Sequence, residues 1–260
     1  MRRYMLPAIT LGLLVLVMAD RISAVFRQMS PRHLAVQPTA TGTNSPDVRA
    51  SRQNARAGTP GEDRLARLAA RQQLTREAGA TYLDSLILST DSVVRRWPDR
   101  YGRPIRVAIV EGGVDGYDSK MAGYVRESLD RWEGIGIGIR FWVVADTSAA
   151  DVVVRWIDHF DFDRAGQTDL TWDQSGRVRR AFISLALRTN GGLALPDAAL
   201  LAVAVHETGH ALGLPHSSDS NDVMFPATRT GTLSDRDRRT AAVLYRLPPG
   251  PVRDVLADAP

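Results

Sequence analysis

Apolar residues along the chain repeat with two periods, and the changes between them lay out the elements. Ile105 to Val110 is a short, β-branched apolar run and predicts a strand. From Ser119 to Glu133, Met121, Val125, Leu129 and Trp132 recur at helical spacing, which predicts a helix with one buried stripe. Ile139 to Val144 and Asp151 to Trp156 predict two further strands, so strand, helix and strand form a right-handed βαβ crossover. Gly166 to Trp172 alternates weakly, as an edge strand does, and Ala181 to Leu187 is another strand. Pro196 to Leu212 is a strongly apolar helix, and Ser234 caps a last helix that runs to Tyr245.

Upstream, Leu65, Leu68 and Ala69, with Leu74 on nearly the same side, predict an amphipathic helix from Glu62 to about Ala78. The apolar patch that follows, Tyr82-Leu83 and Leu86-Ile87-Leu88, is expected to pack on the next domain. Residues 27–61 are rich in Ser, Thr, Pro, Gly, Asn and Arg, too polar to offset their ordering entropy, and read as a flexible linker. At the start, Arg2 and Arg3 precede an apolar run from Met5 to Ala19 that Asp20-Arg21 ends. This is the pattern of an export signal, with Val17 and Ala19 suiting a cleavage site. The run is short for a span, but Ile22, Ala24, Val25 and Phe26 could extend it into a single membrane anchor. The expected organisation is therefore a signal peptide or short anchor at 1–26, a linker at 27–61, and a helical segment at 62–90 that is a candidate propeptide. A catalytic domain at 91–247 and a tail at 248–260 follow. Everything beyond the leader is expected outside the cytoplasm.

Composition narrows the classes. At 260 residues, 44% hydrophobic and 24% charged, the chain can bury a core and carry extra segments. The net charge is +4, yet the arginines are spread among Asp and Glu rather than clustered, which argues against nucleic acid as a partner. Cysteine is absent, so disulfides, thiolate ligands and a cysteine nucleophile are excluded.

The chemistry concentrates in Leu200-Leu-Ala-Val-Ala-Val-His206-Glu207-Thr-Gly-His210-Ala-Leu-Gly213-Leu-Pro-His216. Residues four apart on a helix share a face, so His206 and His210 can reach one metal ion. Glu207 neighbours the first of them, where its carboxylate can meet water at the metal without being a ligand. Gly213 accepts the left-handed conformation that ends a helix, and the returning chain supplies His216 as a third ligand. Three histidines leave a fourth tetrahedral position open, as in a catalytic zinc site. By residue frequencies, His-Glu-x-x-His alone arises in roughly one chain of this length in a hundred, and the glycine and third histidine lower that about a thousandfold. Three core imidazoles on one apolar element with nothing to coordinate would cost more than they explain.

With these residues the chain resembles a metzincin, and within that clan the matrixins, the family of the matrix metalloproteases. His216-Ser-Ser-Asp-Ser-Asn-Asp-Val-Met224-Phe-Pro226 is similar in type and spacing to the matrixin stretch from third ligand to Met-turn. Leu233-Ser234, acidic residues and Leu244-Tyr245 resemble that family's closing helix. The resemblance implies an α+β catalytic domain with a twisted mixed sheet, an active-site helix and a C-terminal helix. It implies Zn(2+), with Met224 as a hydrophobic floor beneath it. It puts Ala202 and Val203 on one wall of the substrate pocket, and Pro226, Ala227 and Thr228 on the other, with the peptide laid along the strand near Gln167 to Trp172. The departures are definite. The cysteine that plugs the zinc in vertebrate proenzymes is missing, the region of the second, structural zinc offers only His159, and Thr228 stands where relatives have tyrosine. Asp158, Asp161 and Asp163 are hard oxygen donors that could take Ca(2+), or a solvated acidic loop.

The expected function is zinc-dependent hydrolysis of peptide bonds in protein substrates, with Glu207 as general base. The competing class is a non-catalytic zinc-binding surface module, for which the base would have no use.

Overall fold

In the computed structural model, which describes residues 60–84, 86, 92–100 and 102–252, the β-branched runs become one five-stranded sheet. In chain order the elements are α1 (Pro60–Arg76), β1 (Val93–Val94), β2 (Ile105–Ile109), α2 (Lys120–Glu133), β3 (Phe141–Val144) and β4 (Val152–Ile157). Then come β5 (Gly166–Trp172), β6 (Val178–Ala186), α3 (Asp197–Ala211), α4 (Asp235–Arg246) and β7 (Gly250–Pro251). The large sheet has the order β3-β2-β4-β6-β5. Its first four strands are parallel, with Val107 opposite both Val143 and Val152, and Val154 opposite Ile183. β5 alone is antiparallel and forms the edge on β6, with Thr168 opposite Ile183.

Helix α2 makes the crossover between β2 and β3, and its stripe of Met121, Val125, Leu129 and Trp132 is buried as the periodicity requires. It packs on α3, which lies against β5 and β6. The helices meet Ile105, Val107, Val152, Val154, Ile183 and Leu185 of the sheet in one continuous core. The other sheet face carries only a small patch of Ala108, Ala150 and Val153, and leaves Phe182 and Trp142 exposed. The expected α+β architecture, a mixed sheet with an apolar central helix and a closing helix, is present.

Two local readings change. On α1, Leu65, Leu68 and Ala69 are exposed, while Ala70 and Leu74 are buried. The turn beyond the helix decides this: Thr81, Tyr82 and Leu83 are buried, with Tyr82 bonded to Thr240 and Asp237 of α4, and that docking sets the rotation of the helix before it. Where Pro248 was expected to open a tail, Gly250–Pro251 instead pair antiparallel with Val93–Val94, and Val252 is buried. A proline is tolerated there because the strand is two residues long and at an edge.

The chain divides into two units, Met1–Arg56 and Ala57–Pro260, and all described residues belong to the second. The leader or anchor at 1–26, the linker up to residue 59, Ile87-Leu88 of the apolar patch and residues 253–260 lie outside the described residues. Among the described residues no helix is long and apolar enough to cross a membrane.

Candidate functional site

Helix α3 is apolar on nearly all sides because it is enclosed by the sheet, α2 and the segments around Trp97 and Tyr245. Aromatic donors reach its backbone: Trp132 Nε1 donates to Val205 O at 2.8 Å, Trp97 Nε1 to Ala211 O at 2.8 Å, and Tyr245 OH to Leu212 O at 3.0 Å. Ala211 and Leu212 lie at the C-terminal end, where carbonyls lack helical partners. The helix ends in a Schellman turn, with Leu214 N donating to Gly209 O at 3.1 Å and Gly213 N to His210 O at 2.8 Å. Gly213 has φ +98°, and an added Cβ would collide with the backbone carbonyl of Arg95. The turn thus needs glycine on two counts, and it carries the chain back to His216.

His206, His210 and His216 each offer a ring nitrogen, and the three nitrogens lie within 4.8 Å of one another. Among the described residues this is the one group of three or more such side chains. His206 Nδ1 donates to Val223 O at 2.7 Å and His210 Nδ1 to Leu214 O at 2.8 Å, which leaves each Nε2 with its lone pair. The Nε2 atoms of His210 and His216 are 3.1 Å apart. Two nitrogens at zinc-ligand distance from one tetrahedral ion would be separated by roughly 3.3 Å. Burial, with the neighbouring rings, depresses the imidazole pKa values, His210 to about 3 and His216 to about 4, and His206 is lowered by burial as well. Three neutral imidazoles with lone pairs converging are a donor set that fits zinc.

Glu207 is 5% exposed. Burial pushes its pKa up to about 7, against the opposing effects of a hydrogen bond from Thr168 and the charge of Arg164. Thr168 Oγ1 lies 2.6 Å from Glu207 Oε2 and 3.0 Å from Glu207 O. Met224 is fully buried, and its thioether lies so close to α3 that a Cβ at Gly209 would collide with it. The turn at Met224 is held by Ser217 N donating to Met224 O at 2.8 Å and Val223 N donating to Asp237 Oδ2 at 2.8 Å.

The remaining sequence-predicted positions divide. Ala202 is fully buried on α3, and Val203 is half-buried and turned toward Gly166. Pro226 and Ala227 are exposed, and Thr228 is half-buried with its hydroxyl donating to Thr230 O at 3.2 Å. This stretch approaches α3 at Gly231, where an added Cβ would stand 3.3 Å from Leu201 Cγ and 3.7 Å from Ala202 Cα. Asp158 is engaged by His159 Nδ1 at 2.7 Å and by Arg188 Nε at 3.1 Å, and it does not gather with Asp161 and Asp163 into a cation-binding group. Sequence reasoning missed Gly166, Thr168 and Asp237. Only the alternation of β5 pointed toward the first two, by placing them on one side of the strand.

A sequence model of the family described as Matrixin matches residues 105–246. Over 55 residues the chain is 46% identical to matrilysin of Felis catus, a match covering 21% of this chain and 18% of that protein. The chain thus spans under a fifth of the length of that curated relative.

Proposed function

The chain belongs to the matrixin family, a family of zinc metalloendopeptidases, and on that footing we propose that it hydrolyses peptide bonds of protein substrates at the His206–His210–His216 site. The observation that carries the reading is the convergence of three neutral imidazoles beside a buried, unligated carboxylate. His206, His210 and His216 would hold the zinc, which when bound supplies Lewis acidity toward a carbonyl and toward water.

The chain's own residues do the rest. Val223 O and Leu214 O fix the tautomer and orientation of two imidazoles. Glu207, buried next to His206 on α3, takes the proton of the attacking water and delivers it to the leaving amine nitrogen. The substrate backbone adds to the exposed edge of β5, and Val203, Pro226, Ala227 and Thr228 border the pocket for the residue after the scissile bond, with Ala202 buried next to Val203 in the helix. Those walls are apolar apart from one hydroxyl, so Leu or Phe there should outcompete Ala by about 1–2 kcal/mol, read by cleavage-site profiling. Enrichment of small or charged residues would show the walls to be elsewhere. Export follows from residues 1–26, either as a released enzyme or one held by that segment at the membrane.

The deciding experiment uses the full chain, a fluorogenic peptide library and metal analysis. Chelation should abolish hydrolysis and zinc restore it. Glu207→Gln should keep the zinc and lose at least about a hundredfold in kcat. A variant that turns over like an active wild type would sink Glu207 as the base, and a zinc-loaded wild type that cleaves nothing would favour the non-catalytic binding module.

A further inference from the structure

Strand β5 faces α3 with alternate residues, and the first two of these are shaped around one side chain. Gly166, Thr168 and Leu170 share a side by the two-residue period of a strand, and Leu170 packs on the core. At Gly166 an added Cβ would stand 2.5 Å from Glu207 Oε1, 2.6 Å from Glu207 Cγ and 2.7 Å from Val203 Cγ1. Any side chain there would drive the Glu207 carboxylate from its place. Two residues on, Thr168 Oγ1 donates to Glu207 Oε2 at 2.6 Å. A hydroxyl-to-carboxylate bond of that length is of the strong, charge-assisted kind, and the burial of Glu207 keeps competing water away.

We infer that Gly166 and Thr168 are positioning residues for Glu207, the glycine leaving room for the carboxylate and the threonine holding Oε2 so that Oε1 is presented for proton transfer. This rests on Glu207 being the base proposed above. A glutamate side chain has several rotatable bonds, and a base that swings spends little time in line with the proton it must take. The seat belongs to the strand along which the peptide is proposed to lie. Substrate backbone and carboxylate are therefore registered by one rigid element, and the alternation of β5 keeps their contacts on separate groups of that strand. Farther along β5, Trp172 lies under Arg95 at the strand's far end.

The test compares full-length wild type, Glu207→Gln, Thr168→Val, Thr168→Ser and Gly166→Ala, all zinc-loaded, on one peptide. Valine keeps the shape of threonine and removes the donor, whereas serine keeps the donor. Thr168→Val should lower kcat about tenfold with KM within about twofold of wild type, and Thr168→Ser should recover most of it. Gly166→Ala should lose at least as much as Thr168→Val. Zinc content, zinc retention against a chelator and the thermal midpoint of Thr168→Val should match wild type. Wild-type kcat in Thr168→Val beside an inactive Glu207→Gln overturns the inference and leaves the functional reading standing. So does a loss that serine does not restore, or one that tracks lost zinc. Wild type no more active than Glu207→Gln brings down the functional reading and this inference together.

Discussion

Gly209 lies between the two candidate ligands of α3, in a space bounded by Met224 and by Trp132 Cζ2, which is 2.8 Å from where a Cβ would stand. Both neighbours are fully buried, so neither can swing into solvent to make room. Gly209→Ala should therefore act as an overpacking substitution and cost about 1–3 kcal/mol, despite the better helix propensity of alanine. Because His206 and His210 flank the position on the same helix, zinc retention should fall with it. Urea denaturation and chelator competition check both effects. A variant as stable as wild type would show that Met224 yields, and would remove the floor argument. The residues that hold the site are thus of two kinds: those that offer atoms to the chemistry, and small ones that offer space to the first.

Helix α4 joins parts of the chain that are far apart in sequence. Its capping box pairs Ser234 and Asp237, with the Ser234 side chain accepting from Asp237 N and the Asp237 side chain accepting from Ser234 N. Asp237 has a second task. Its Oδ2 also accepts from Val223 N at 2.8 Å, and its Oδ1 accepts from Tyr82 OH at 2.9 Å. Val223 in turn orients His206 through its carbonyl. Burial, and then the charge of Asp237, raise the Tyr82 phenol well above its ordinary pKa, so it remains a donor. Tyr82→Phe keeps the ring and leaves a buried carboxylate oxygen short of that donor, which should cost about 1–3 kcal/mol. Equilibrium unfolding of the two chains tests this, and equal stabilities would mean water replaces the phenol. The segment read as a candidate propeptide thus contributes a buried tyrosine to the support of the turn at Val223 and Met224, and the ion pair between Arg239 and Glu77, 2.8 Å apart, docks it on the same helix.

For the molecule as a whole, Asp151 ties the segment at Arg100 to the start of the β2–β4 pairing. Its carboxylate accepts from Arg100 Nη1 at 2.9 Å and from Arg106 N at 2.9 Å, and it pairs with the Arg106 guanidinium at 3.3 Å. Burial pushes its pKa up, but the hydrogen bonds and charges of Arg100 and Arg106 win, and it falls to about 2 from an ordinary 3.8. A depressed carboxylate pKa means that the unfolded chain binds the proton first. The stabilisation is then complete above pH 4 or so and is lost as pH falls toward 2. Asp151→Asn should be less stable than wild type by about 2 kcal/mol at pH 7, with the gap closing as the pH approaches 2. A gap that stays constant with pH would assign the effect to shape rather than charge.

That His206 and His210 share a face of α3, that Gly213 ends the helix and that His216 returns beside them was legible in the residues, because each depends on local geometry. A four-residue spacing puts two side chains on one face, and a positive φ selects glycine, whatever surrounds them. The stripe of α2 and the strand runs were legible for the same reason, since periods of 3.6 and 2 follow from backbone geometry. The apolar spacing of α1 did not settle which of its leucines is buried, and the docking of the segment at Tyr82 goes with Leu74 inside and Leu65 and Leu68 exposed. The strand at Gly250–Pro251 escaped notice because its partner, Val93–Val94, is remote in sequence and no local signal announces a pairing. Gly166, Thr168 and Asp237 were invisible as site residues on similar grounds. A glycine and a threonine on an edge strand, or an aspartate in a helix cap, are ordinary locally. They acquire a role only when the fold brings Glu207 against two of them and Tyr82 and Val223 against the third. Sequence periodicity sets which groups an element can present. Only the packing of elements against each other sets what those groups meet, because such contacts join positions that no window along the chain contains.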